Sequence, residues 1–204
     1  MRTLLCLLFL TGLCSGQSQD PKAYLNIIGG QQLGPVTKTS TYADIAAIVG
    51  TAYIEEGEVY LGEGQTSPAT VVYPGHPNRR IKVIWKKGPR ATATPESAWL
   101  VGDESEWRTP NGITLGTPLS KLQKLNGKPF KLLGFEWDYS GAVTDFMDGL
   151  LAKQFSNISL RLRLPENQGG DELLPVLGDQ ELRSDHKVLQ KFEPVVDRII
   201  VRFD

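Results

Sequence analysis

Apolar and polar residues alternate along several short segments of the chain. Residues 80–85 and 158–164 show this alternation, which is typical of strands that bury one face. Shorter β-branched or aromatic runs predict further strands at residues 24–28, 59–61, 69–73, 97–101, 130–135, 142–146 and 194–203. Adjacent segments are joined by short turns, so the pattern predicts a largely antiparallel sheet.

Two short segments have helical spacing instead. Residues 42–49 follow three hydroxyl residues that can cap a helix, and Gly50 ends the pattern. Residues 119–125 follow Thr117-Pro118 and end at Asn126-Gly127. The two segments share the spacing I-x-x-I-x-G and L-x-x-L-x-G. A weak internal duplication would explain this, and so would coincidence, because helices that end at glycine are common.

The combined pattern predicts the α+β class, with a mainly antiparallel sheet and short helices packed on one of its faces. The pattern leaves open whether the chain consists of two similar α/β halves. Residues 17–106 would form the first half and residues 107–204 the second, within one compact unit.

Residues 1–16 have the order of a secretory signal peptide. Arg2 supplies the positive charge, residues 4–10 form an apolar run, and the small residues 14–16 precede a polar stretch. The apolar run of about ten residues is shorter than the roughly 20 residues that span a bilayer. We therefore expect cleavage after Gly16 and export to the periplasm or the medium, rather than a membrane anchor.

Cys14 raises lipid anchoring as the less favoured form of export. A bacterial lipoprotein is cut before a cysteine at this place, but Leu13 stands where that pathway requires a small residue. Both cysteines of the chain, Cys6 and Cys14, lie in the segment that we expect to be removed. The mature chain would then have no cysteine nucleophile, disulfide or thiolate metal site.

Composition argues against several classes of partner and cofactor. Without Arg2, the 22 basic residues become 21, against 23 acidic residues. Nucleic acids and anionic membrane surfaces require clustered positive charge, so we expect neither as a partner, and no second apolar run approaches membrane length. The two histidines, His76 and His186, have no partner at metal-ligand spacing. No cofactor and no metal are predicted, although carboxylates and carbonyls can bind calcium without fixed spacing.

One stretch resembles a known group of proteins. The pattern W-x-T-x-x-G-I-x-x-G begins at Trp107, and L-N-G-K-P-F and G-F-x-W-D-Y-x-G follow at residues 125–130 and 134–141. This core is similar to a family of uncharacterised exported bacterial proteins, a resemblance that implies export from a bacterium and no particular activity. A fainter similarity, in the helix, glycine and strand order, is to tandem α/β modules of envelope-assembly lipoproteins and secreted enzyme inhibitors. Fold-level similarity does not determine function.

Residues 134–141 are the strongest candidate site. An extended backbone would direct Glu136 and Asp138 to solvent and the aromatic residues, Trp137 and Tyr139 among them, toward the core. Under a functional interpretation, these four residues and Trp107 would form a binding site for a sugar or a peptide amine. A glycosidase would require a second carboxylate about 5–10 Å from Glu136 or Asp138.

Glu63 and Asp145 are the conceivable sources of that second carboxylate. Motifs for hydrolytic or phosphoryl-transfer chemistry do not occur in the sequence, and no catalytic residue is assigned. The sequence therefore favours a non-catalytic exported binding or interaction protein of the bacterial cell envelope. Its partner would be an unidentified envelope or extracellular ligand or protein, and its oligomeric state stays open. The alternatives are a secreted, carboxylate-dependent hydrolase and a structural envelope component.

Overall fold

The structure of this protein, a computed structural model, describes residues 26–166 and 170–204. The predicted signal peptide, residues 1–16, lies outside the described residues, as does the start of the strand predicted at 24–28. Within the described ranges no helix has the length and apolar character needed to cross a bilayer.

The described residues contain twelve strands, which form three sheets with antiparallel pairing. The strands are β1 (Ile27–Ile28), β2 (Gln32–Leu33), β3 (Val36–Thr37), β4 (Ile54–Gly62), β5 (Gln65–Val72), β6 (Ile81–Trp85), β7 (Pro95–Val101), β8 (Lys131–Leu133), β9 (Val143–Asp145), β10 (Ile158–Arg163), β11 (Glu181–Arg183) and β12 (Val195–Arg202). The helices are α1 (Tyr42–Val49), α2 (Leu119–Asn126), α3 (Leu150–Gln154) and α4 (Lys187–Phe192), with 3-10 turns at Thr51–Tyr53 and Gly170–Val176. The predicted α+β class with mainly antiparallel sheet is confirmed.

The largest sheet has six strands in the order β10-β12-β7-β6-β5-β4. Four of them come from residues 17–106, and β10 and β12 come from residues 107–204. Strand β12 lies inside the sheet, because it pairs with β10 on one side and with β7 on the other. The two parts of the chain thus contribute to one sheet.

One face of this sheet packs against the helices. In β7, Ala98 and Leu100 belong to the main core, which also contains Ile45 of α1, Leu122 of α2 and Leu189 of α4. Because side chains alternate between the faces of a strand, the intervening Trp99 points to the opposite face. There it forms a small second cluster with Val59, Ala69, Ile84 and Ile200.

The two predicted helices begin and end where the sequence indicates. The Thr41 side chain accepts a hydrogen bond from the Asp44 amide, and the Asp44 carboxylate accepts one from the Thr41 amide, which completes a capping box. Gly127 ends α2 in the left-handed conformation at φ +77°, which glycine adopts without steric cost. The predicted helix bounds are thus confirmed to within one residue.

Candidate functional site

Residues 134–141, which we call the aromatic turn, do not form a strand. Glu136 has a φ of +65°, the Ser140 amide donates to the Trp137 carbonyl at 3.0 Å, and the Gly141 amide donates to the Gly134 carbonyl at 3.0 Å. The backbone here is not extended, so the alternation of side chains that an extended backbone would give does not apply. The chain reverses because the two glycines close the turn through their own backbone groups.

The side chains of the aromatic turn divide unequally between core and solvent. Phe135 is buried, Trp137 is half-buried, and Glu136, Asp138 and Tyr139 are exposed. The Trp137 indole donates to the Gly134 carbonyl at 3.0 Å. Its ring meets the Tyr139 ring edge-on, with the centroids 5.4 Å apart. This arrangement holds Tyr139 at the surface instead of in the core.

Trp107 lies apart from the other predicted site residues. It has no exposed surface, and its indole N–H donates to the Arg79 carbonyl at 2.8 Å. The Tyr73 ring stacks against it at a centroid distance of 6.4 Å. In this position the Trp107 side chain fills the core and does not reach the surface around Tyr139.

Two hydrogen bonds join the aromatic turn to residues 60–64, which we call the hairpin tip because they comprise the end of β4 and the turn that leads to β5. The Tyr60 hydroxyl donates to Asp138 Oδ1 at 3.0 Å, and the Tyr139 hydroxyl donates to Glu63 Oε1 at 3.2 Å. The negative charge of Glu63 and then this hydrogen bond raise the pKa of Tyr139. Each segment therefore supplies one tyrosine and one carboxylate to the junction.

The structure thus brings Glu63, one of the two conceivable second carboxylates, to the aromatic turn. Asp145 instead accepts a hydrogen bond from the Met147 amide at 2.7 Å within the β9 region. The carboxylates of Glu63 and Asp138 are exposed and both accept hydrogen bonds from tyrosines.

The aromatic turn connects the two edges of the six-stranded sheet. At one end, the Leu162 amide of β10 donates to the Gly141 carbonyl at 2.9 Å, and Ala142 forms an isolated antiparallel β-bridge with Arg161. At the other end, the turn contacts the hairpin tip, at the end of edge strand β4. Between these points it forms one wall of a cleft over the sheet face that carries Trp99.

This cleft, which we call the sheet cleft, has a volume of about 590 Å³. Its apolar surface includes Ile84, Trp99 and Ile200 from the sheet and Leu61 from the hairpin tip. Asp138 and Tyr139 line the cleft, whereas Trp107, Glu136 and Trp137 do not. The structure therefore places two of the five predicted binding residues in the cleft wall.

Three arginines on β10 and β12 line the same cleft, and two of them have partners. Arg161 forms an ion pair with Asp197, with its Nε donating to Oδ1 at 3.0 Å. Arg202 donates to the Ser159 hydroxyl. Arg161 and Arg198 are directly paired across β10 and β12. Their side chains therefore lie on the same face of the sheet.

Arg198 is the third arginine, and its situation differs. Its guanidinium lies 5.3 Å from the centroid of the Trp99 ring. Its buried Nε atom has no hydrogen-bond partner among the described residues. Burial lowers the pKa of Arg198, as does the positive charge of Arg161, while Asp197 raises it. The cleft thus contains a cation that the protein solvates poorly.

Comparison of the chain with family models, curated proteins and solved structures finds no match. Within residues 26–166 and 170–204, no group of three His, Cys, Asp or Glu side chains is placed to hold a metal ion. His186 instead caps α4, where its Nδ1 accepts from the Val188 amide at 3.3 Å.

The arginines and Trp99 were not predicted from the sequence as site residues. A usable signal was present, because the predicted strands at residues 158–164 and 194–203 each place basic residues at positions that share one face. That pattern shows which face a residue occupies, but it does not show that β10 and β12 are neighbours. Without that pairing, Arg161 and Arg198 look like ordinary solvent-exposed charges.

Proposed function

We propose that this chain is a non-catalytic exported binding protein of the bacterial cell envelope and that it binds its ligand in the sheet cleft. The observation that carries this proposal is the half-buried Arg198 on the Trp99 ring, inside a cleft of about 590 Å³. Sites for small ligands typically occupy about 300–1,000 Å³ and combine apolar walls with a few polar groups. The cleft has both properties.

The junction between the aromatic turn and the hairpin tip supports binding over hydrolysis. A glycosidase holds its two acids on opposite sides of the bond to be cleaved. Here Asp138 and Glu63 belong to one junction, where each accepts a hydrogen bond from a tyrosine of the other segment. Their arrangement serves to hold the cleft wall in place. A purely structural envelope component would not require such a cleft.

The proposal predicts that a ligand stabilises the protein by occupying the cleft. A thermal-shift screen of the purified protein would cover glycans, peptidoglycan fragments, peptides and small organic acids. A ligand at about 100 times its dissociation constant contributes roughly 2.7 kcal/mol to the stability of the fold. The variant Ile84→Trp, which fills the cleft floor, should lose this shift.

Val101→Trp is the matched control for that experiment. Val101 lies on β7 with 41 % of its surface exposed, and it does not line the cleft. The control should keep the ligand-induced shift of the parent protein. A screen without any stabilising ligand, or a ligand whose effect survives in Ile84→Trp, would contradict binding in the cleft.

Export is the second part of the proposal, and the order of residues in 1–16 supports it. When the full chain is produced in a bacterial host, the periplasmic protein should have the mass of a chain that begins at Gln17. Replacing Leu7 and Leu8 with arginine should leave an unprocessed protein in the cytoplasm, because the apolar run is then interrupted. A periplasmic protein that keeps Met1, or one cut before Cys14 and lipidated, would contradict the predicted cleavage.

A further inference from the structure

Arg198 lies in the sheet cleft and forms no salt bridge with any carboxylate of residues 26–166 and 170–204. The adjacent Asp197 is 7 % exposed and already forms a two-point pair with Arg161. The Arg198 Nε is buried without a hydrogen-bond partner in the part of the chain that the structure describes. An unpaired buried donor is unfavourable, and a donor that carries charge more so. Arg198 as a whole is only half-buried, so an anion in the cleft that reaches the terminal nitrogens of its guanidinium would stabilise the charge.

The surroundings of Arg198 indicate what the anion is attached to. The guanidinium lies over the Trp99 ring, and Ile84 and Ile200 belong to the same apolar cluster on this sheet face. A ligand whose charged group reaches Arg198 therefore places its remaining atoms against an aromatic and aliphatic surface. Burial of that surface favours an apolar body over a sugar or another strongly hydrated one.

The other charges of the cleft limit the charge of the ligand. Lys87, Arg161, Arg198 and Arg202 line the cleft together with Glu96, Asp138 and Asp204, and Arg161 is already paired with Asp197. The three carboxylates balance the three remaining cations, so the cleft offers little net positive charge to a ligand with several negative charges, such as a phosphate ester. A planar carboxylate also matches the two parallel donors of a guanidinium.

We infer that the ligand of the sheet cleft is a small monocarboxylic acid with an apolar body, and that its carboxylate binds Arg198. This inference rests on the proposed function, because it names the ligand class of the same cleft. The apolar body would lie against Ile84 and Ile200 beside the Arg198–Trp99 pair, and Asp138 and Tyr139 would close the wall of the cleft.

The test compares the binding of three probes with the same phenylpropyl body to the purified protein: 4-phenylbutyrate, its neutral amide, and 3-phenylpropyl phosphate. Isothermal titration measures affinity, and ¹H–¹⁵N spectra of the arginine Nε–H groups report which guanidinium is contacted. The acid should bind at least about tenfold more tightly than the amide, since hydrogen bonds to charged groups contribute more than neutral ones. It should also bind more tightly than the phosphate ester and shift the Arg198 Nε–H resonance.

Substitutions separate the role of Arg198 from general effects of charge. Arg198→Met should weaken binding of the acid by roughly 10- to 100-fold and leave binding of the amide unchanged. Arg198→Lys keeps the charge but loses the planar pair of donors, so it should give an intermediate loss. The matched control is Arg163→Met, because Arg163 lies on β10, pairs with Asp103 and does not line the cleft. The Arg163→Met protein should bind the acid with the same affinity as the parent protein.

Three outcomes would overturn the inference and leave the proposed function standing. One is equal binding of acid and amide with shifts only in cleft residues other than Arg198, which would make the site a neutral apolar one. Another is absence of binding by all three probes when the screen finds a ligand that is not a monocarboxylic acid and that Ile84→Trp excludes. A fall of more than about 5 °C in the melting temperature of unliganded Arg198→Met would assign Arg198 a structural role and overturn the inference as well. A ligand that binds equally to Ile84→Trp would instead overturn the proposed function itself.

Discussion

Replacing Trp107 with alanine is expected to lower the free energy of unfolding by about 3–5 kcal/mol. The indole is completely buried in the main core, so its removal leaves a cavity that neighbouring elements cannot fill without moving. The same change removes the donor that bonds to the Arg79 carbonyl. Urea unfolding followed by circular dichroism would measure the loss.

Trp137→Ala is the control for this experiment, because Trp137 belongs to the aromatic turn and is only half-buried. Its loss of stability should be at most about 2 kcal/mol. Trp107→Phe keeps a ring in the core and should be less destabilising than alanine. Similar losses for Trp107→Ala and Trp137→Ala would contradict the assignment of Trp107 to the core and Trp137 to the surface turn.

Gly141→Ala is expected to destabilise the protein by more than about 3 kcal/mol. Gly141 has a φ of +66°, and an added Cβ atom would lie 2.0 Å from the backbone carbonyl oxygen of Leu162. Because that carbonyl belongs to β10, the clash would push the aromatic turn away from the sheet. Thermal unfolding of the variant would measure the loss, and ligand binding in the cleft should fail with it.

The control at Gly64 separates the two causes of this effect. Gly64 has a similar φ of +74°, but no atom lies within 4 Å of the position of an added Cβ. Gly64→Ala should therefore cost only the backbone penalty of about 1–2 kcal/mol. If the two variants lost the same stability, contact with β10 would not explain the requirement for glycine at position 141.

Local patterns were sufficient to predict most of the regular elements. The alternating run at residues 158–164 became β10, and the capped segments became α1 and α2. The short elements β2, β3, β11, α3 and α4 were not predicted, because they have neither a clear periodicity nor a β-branched or aromatic run around them. Their conformations depend on tertiary contacts; for example, the Leu151 amide of α3 donates to the buried Asn126 side chain of α2.

The candidate site was less predictable than the fold. The aromatic and acidic residues of 134–141 drew attention because of their types, and Asp138 and Tyr139 do line the cleft. The conformation of the turn depends on a backbone hydrogen bond between its two glycines and on the contact with β10, neither of which leaves a periodic signal. Arg198 and Trp99 lie far apart in the sequence. Their side chains meet only because β12 pairs with β7.

The interior position of β12 also affects the order of folding. Strand β12 follows every other described strand in the sequence, yet it lies between β10 and β7. Contacts between residues far apart in the chain require closure of long loops and slow the folding of a domain. Until β12 is inserted, β7 and β10 each have an unpaired edge that can pair with another chain. The cleft floor, to which β12 contributes Arg198 and Ile200, can be completed only when this insertion occurs.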